Sequence, residues 1–179
     1  HRVDRRQRQM CIRDRIYTSD DIKGIELAGA LKNIYAIISG YCHSLDVGEN
    51  AIGLILTRSM AEMSNFAVNK GANPITFLGL AGMGDLVATC FSKLSRNYQF
   101  GWAIGEGLDI EAAKYKVGQV AEGLNTIRII HNEISSSKIR MPLVSGMHEI
   151  LFNSGSKELL LEQIINSDIY VDVNFDVES

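Results

Sequence analysis

The sequence predicts an all-α protein built from several helices of unequal length. Three observations carry this. Apolar residues recur at three- and four-residue spacing along most of the chain. The two prolines, Pro74 and Pro142, both stand where a helix would begin. Apolar–polar alternation, the mark of a strand, is nearly absent outside 167–179. With 179 residues and 46% hydrophobic content, the chain suits one domain with a substantial core.

The first helix is expected from Ile25 to about Ser39, with Leu27, Leu31, Ile34 and Ile38 on one stripe. Ala28, Ala30, Tyr35 and Ile37 make its other faces apolar as well, so it should be buried on several sides. Lys32 and Asn33 are its conspicuous polar residues. A lysine there snorkels to water, meets a carboxylate or acts chemically; snorkelling is the commonest of the three. The second helix is expected over 50–69, with Asn50 as N-cap and Gly71 as the stop. Asn73-Pro74 starts a short helix to Leu80, and helices follow over 85–92 and 96–105. Asp109 caps a segment through Tyr115, and Glu122 caps a helix over 123–135. Pro142 opens a helix to Phe152, and a last helix runs from Ser156 to about Ile165. That makes about eight helices. The organisation expected is a basic head of non-native appearance over 1–15, resembling translated adapter or vector sequence. An all-helical domain follows over 16–166, then an acidic tail over 167–179, either strand or disordered.

Charge and cysteine content narrow the function classes. A formal net charge of −3 argues against a nucleic-acid partner held by bulk electrostatics. No apolar run is long enough for a membrane helix. Cys11, Cys42 and Cys90 have neither disulfide-framework nor metal spacing, which suits reduced thiols in a cytoplasmic protein. Cys42 and Cys90 read as small buried hydrophobes. His43, His131 and His148 lie on separate elements without ligand spacing, so metal hydrolysis is disfavoured and no metal is expected.

The densest chemistry lies between Gly79 and Gly101, in GLAGMGDLVATCFSKLSRNYQFG. Gly79, Gly82 and Gly84 permit a tight turn and close backbone approach. Asp85 follows at a helix start. Ser95 reads as an N-cap, with Arg96 and Asn97 in the first turn. Free amides, a positive helix end and a guanidinium suit an oxyanion such as phosphate. Ordinary capping and helix–helix turning explain the same residues, and both readings stand on this stretch alone. No Gly-Lys-Ser/Thr follows the glycines, and their spacing is wrong for a dinucleotide fingerprint.

Read together, GIELAGALKNIYAIISGY (24–41), GENAIGLILTRSMAEM (48–63), GLAGMGDLVATC (79–90), SRNYQFG (95–101) and GQVAEG (118–123) resemble the C-terminal half of bacterial NAD(P)-dependent glycerol-3-phosphate dehydrogenase. The resemblance runs from about Ile16 to about Leu159. It implies the helical substrate domain of the 6-phosphogluconate-dehydrogenase C-terminal-like type, without the Rossmann domain that binds most of the NAD(P)(H). It implies interconversion of glycerol 3-phosphate and dihydroxyacetone phosphate, supplying phospholipid synthesis, in a cytoplasmic homodimer. Carried over by residue, Lys32 is the proton acceptor. Lys32, Asp85, Ser95, Arg96 and Asn97 hold substrate, and Arg96, Val120 and Glu122 touch the cofactor. Asn33 and Thr89 are neighbours of this set. Two other readings remain: a related hydroxy-acid dehydrogenase domain, and a helical dimerisation module without chemistry.

Overall fold

The computed structural model describes residues 18–118, 122–153 and 155. Among them lie seven α-helices and no strand: α1 (Ile22–Ser44), α2 (Glu49–Asn69), α3 (Asp85–Cys90), α4 (Arg96–Gly105), α5 (Ile110–Val117), α6 (Glu122–Ser135) and α7 (Pro142–Phe152). A 3-10 turn (Pro74–Leu78) and a π-helical turn (Leu80–Gly84) connect α2 to α3. The all-α expectation holds. The last expected helix, from Ser156 to about Ile165, lies outside the described residues, as do the tail and the head.

The central element is α1. Leu31 and every residue from Ile34 to Cys42 are buried. That requires neighbours on all sides, and α2, α3, α4, α6 and α7 supply them. It is longer than its apolar stripe implied, because Asp21 caps it three residues before Gly24. The Asp21 carboxylate accepts from the Gly24 amide at 2.9 Å, the Asn73 amide at 3.0 Å and the Thr76 hydroxyl at 2.7 Å. One side chain therefore closes the start of α1 and pins the 3-10 turn beside it; the Thr76 hydroxyl does most to hold its carboxyl below the usual range.

Local signals placed the other boundaries closely. Asn73 caps the 3-10 turn through the Ile75 amide, Ser95 caps α4 through Tyr98, and Asp109 caps α5 through Ala112. Gly71 takes a left-handed φ of 83° just past α2, where a side chain would be strained. Other boundaries moved: α1 runs on past Ser39 to Ser44, α3 stops at Cys90 rather than 92, and Glu122 is the first residue of α6 rather than a cap before it. Gly48, not Asn50, stands at the N-cap of α2. The helix expected to reach Leu80 ends at Leu78 and passes into the π-turn.

Close approach of α1 and α4 depends on paired glycines. A Cβ on Gly101 would lie 1.9 Å from the Ile37 carbonyl oxygen, and one on Gly40 would lie 2.0 Å from that of Tyr98. Both obstacles are backbone, so no rotamer change relieves them. Gly101→Ala is expected to destabilise the fold by about 3 kcal/mol or more, read as a lower midpoint in urea unfolding. An unchanged midpoint would show that the two helices separate freely.

Candidate functional site

Lys32 lies two residues before the unbroken buried run of α1, and its side chain is 24% exposed. Asp85 opens α3, which is anchored by buried Leu86 and Cys90. The Ser39 hydroxyl donates to the Cys90 carbonyl at 2.9 Å, so α1 also holds the far end of α3. In that arrangement the Lys32 Nζ donates to Asp85 Oδ2. The Asp85 side chain is 39% exposed. A pair this open contributes about 1 kcal/mol or less to stability. The Thr89 hydroxyl donates to the Asp85 carbonyl at 2.6 Å and lies 3.4 Å from its Oδ1.

A second polar chain runs beside the first. Asn97 Nδ2 donates to Asn33 Oδ1 at 3.0 Å, and Asn97 Oδ1 accepts from the Gly123 amide at 3.0 Å. One carboxamide thus joins α1, the first turn of α4 and the first turn of α6. Asn33 directly follows Lys32, Arg96 directly precedes Asn97, and Glu122 directly precedes Gly123. The amine–carboxylate pair and two helix starts are brought to one edge of α1. Arg96 and Glu122 are exposed there. Val120 lies outside the described residues.

Of the site residues chosen from sequence, Lys32 and Asp85 meet directly and Asn97 is tied to Asn33, the neighbour of Lys32, with one change of emphasis. The side chain of Asn97 is buried and engaged on both ends by protein groups. It joins elements to each other rather than presenting its amide to a ligand. Asn97→Ala leaves the Gly123 amide and the Asn33 carboxamide without these partners. The expected cost is about 1–3 kcal/mol, seen as a lower melting temperature. If only substrate KM moved, Asn97 would be a ligand contact and not a joint.

Ser95 uses its hydroxyl on the Tyr98 amide at 3.4 Å. Of the glycines before Asp85, Gly82 is the one the packing demands, since a Cβ there would meet the Phe77 backbone oxygen at 2.3 Å. A cleft of about 310 Å³ lined by Lys93, Tyr98, Gln99, Trp102, Lys116 and Val117 lies alongside α4. Neither Lys32 nor Asp85 lines it, so the polar pair and this open cleft are not shared.

Sequence reasoning passed over two groupings. Glu62 lies in the core at 3% exposure. It accepts from the Tyr35 hydroxyl at 3.1 Å and from the Leu143 amide at 2.7 Å, which closes the start of α7. A signal was present: Glu62 falls on the buried stripe of Ile55, Ser59, Met63 and Phe66. His131 and His148 lie on separate helices, as expected, yet they stack with ring centroids 3.7 Å apart. Their sequence separation gave no hint of it. Cys42 and Cys90 are free and fully buried, and desolvation pushes both thiols up to about 12, as inert core residues require.

Residues 21–162 match the family model for the NAD-dependent glycerol-3-phosphate dehydrogenase C-terminus. A glycerol-3-phosphate dehydrogenase [NAD(P)+] of Pseudomonas savastanoi pv. phaseolicola is 50% identical over 161 residues, covering 90% of this chain and 47% of that protein. The crystal structure of a glycerol-3-phosphate dehydrogenase from Coxiella burnetii superposes with a TM-score of 0.80 at 37% identity, covering 93% of this chain and 50% of the other. The corresponding enzyme of Saccharomyces cerevisiae superposes at 0.72 with 30% identity, covering 80% of this chain and 42% of the other. The chain spans about half the length of the curated relatives it matches.

Proposed function

Because the chain belongs to the NAD-dependent glycerol-3-phosphate dehydrogenase C-terminus family, we propose that it is the substrate-binding half of an enzyme interconverting glycerol 3-phosphate and dihydroxyacetone phosphate. The observation that carries this reading is the Lys32–Asp85 pair beside the start of α4. An amine, a carboxylate and a helix N-terminus with an exposed arginine are what a phosphorylated hydroxyketone needs.

When bound, NAD(P)H supplies the hydride that reduces the ketone carbon. The residues of this chain handle the proton and the position. In reduction, Lys32 as an ammonium faces the ketone oxygen and gives it a proton as negative charge develops there. In oxidation, the neutral amine takes the proton from the C2 hydroxyl. Asp85, on the same Nζ, aims the amine and accepts from a substrate hydroxyl. Arg96 and the amides at the start of α4 hold the phosphate, away from the reacting carbon. That grip lets remote binding energy place C2. Asn33 and Asn97 keep α1, α4 and α6 in register so that both ends of the substrate are met at once.

Arg96 and Glu122 are exposed on two helix starts joined through Asn97. On this reading Arg96, Val120 and Glu122 touch a cofactor held mainly by a Rossmann domain. An exposed apolar run supports the same arrangement: Leu78 is 64%, Leu80 61% and Leu94 88% exposed. They flank the Asp85-bearing segment, and a second domain docked there would cover them. No helix among the described residues is long and apolar enough to cross a membrane. The enzyme is a homodimer acting in the cytoplasm on this reading.

The full-length enzyme is expected to oxidise NAD(P)H with dihydroxyacetone phosphate and to leave simple keto acids untouched. Measured as loss of nicotinamide absorbance, a preference for a keto acid would transfer the chain to the hydroxy-acid dehydrogenases instead.

A further inference from the structure

We propose that His131, His148 and Glu149 form a binding site for a transition-metal dication of the zinc type, joining α6 to α7. One ligand atom from each residue lies within 4.8 Å of the other two. His131 comes from the C-terminal half of α6, while His148 and Glu149 are neighbours on α7. Eight residues of helix separate His131 from Gly123, about 12 Å at the rise of an α-helix. The cluster therefore stands well along α6 from the Lys32 neighbourhood.

The donor set suits such an ion. Two imidazoles and one carboxylate are borderline ligands that favour zinc, nickel, copper or cobalt over magnesium or calcium. His148 Nδ1 is buried and has no hydrogen-bond partner among the described residues. Its distance to Glu149 Oε1 is 3.8 Å, too long for a hydrogen bond. A buried polar atom in this condition is costly, and a bound cation would satisfy it.

The surrounding groups prepare the ligands. Asn153 Nδ2 lies 3.0 Å from both Glu149 oxygens and fixes that carboxylate. Outer groups of this kind commonly orient metal ligands. The Phe152 ring lies 4.9 Å from His148 by centroid and walls one side.

Binding requires a small rearrangement. Ligand atoms around a four-coordinate zinc lie roughly 3.3 Å apart, closer than the widest spacing here. The rings are nearly parallel at 21°, and a metal sits in the plane of an imidazole. Rotation about χ2, a soft torsion in histidine, opens the stack and turns both nitrogens to one point. Three protein ligands then leave a position for water.

The test is calorimetric titration of the full 179-residue chain with zinc chloride after chelator treatment. One saturable site is expected, with a rise in melting temperature on binding. His131→Ala/His148→Ala should abolish that site. Asn153→Ala, which leaves every ligand in place, should weaken it about tenfold or more. A chain that takes up no zinc overturns the proposal, and so does binding that survives in the double variant. Should the double variant fail to fold, Asn153→Ala decides: unaltered affinity there counts against the site.

Discussion

Lys32→Met in the full-length enzyme is expected to lower kcat for dihydroxyacetone phosphate reduction by about 10²–10⁴-fold, the usual contribution of a positioned proton donor. Methionine keeps most of the length of the side chain and removes its amine. The protein should still fold, because the Lys32–Asp85 pair is part-exposed and contributes about 1 kcal/mol or less to stability. The melting curve and kcat should therefore part company. KM should move less than kcat, since the phosphate grip at the start of α4 is untouched. An enzyme that keeps kcat within a few-fold of the parent would remove Lys32 from the chemistry. The helical dimerisation reading would then account better for this domain.

The second large effect concerns Glu62. Desolvation in the core raises its pKa from the ordinary 4.5 to about 8, against the opposing hydrogen bonds from the Leu143 amide and the Tyr35 hydroxyl. Between those two values the folded protein holds a proton that the unfolded chain has released. Stability must then fall as pH rises through this window, and level off above about pH 8. Each unit between the two values carries about 1.4 kcal/mol, so the loss is on the order of 5 kcal/mol. Glu62→Gln removes the titration and keeps the size. Its carboxamide oxygen accepts from Leu143, and its amide can donate to the Tyr35 oxygen. Urea unfolding at a series of pH values from 4.5 to 9 should show the variant gaining on the parent as pH rises. A gap between them that stays constant over that range would mean Glu62 ionises freely in the folded state.

Both predictions rest on residues of helices that the sequence places well, but they were not equally legible. Lys32 and Asp85 stood out because each belongs to a motif of specific composition, and those motifs occur in the order of a known family. Ser95, Asn73 and Asp109 were readable as caps, because a cap bonds to an amide two or three residues ahead. Asp21 carries the same kind of signal, but its second role on Asn73 and Thr76 spans more than fifty positions of chain and could not be seen. Glu62 was visible as an acid on an apolar stripe, yet its partners lie on α1 and α7. The glycines of the α1–α4 contact had no local conformational reason to be glycine at all. Only the opposing backbone requires them.

By itself, then, the amino-acid sequence determined which segments become helices, roughly where they end, and the set of chemical groups the domain offers. Helix formation and capping depend on atoms within about four residues of one another, so that information is present locally. The tertiary structure alone decided which groups meet: Asn97 turned inward between Asn33 and Gly123, Glu62 under the start of α7, and His131 against His148. Those meetings follow from where helices cross and how far each is rotated about its axis. Crossing and rotation are set by the packing of many side chains at once.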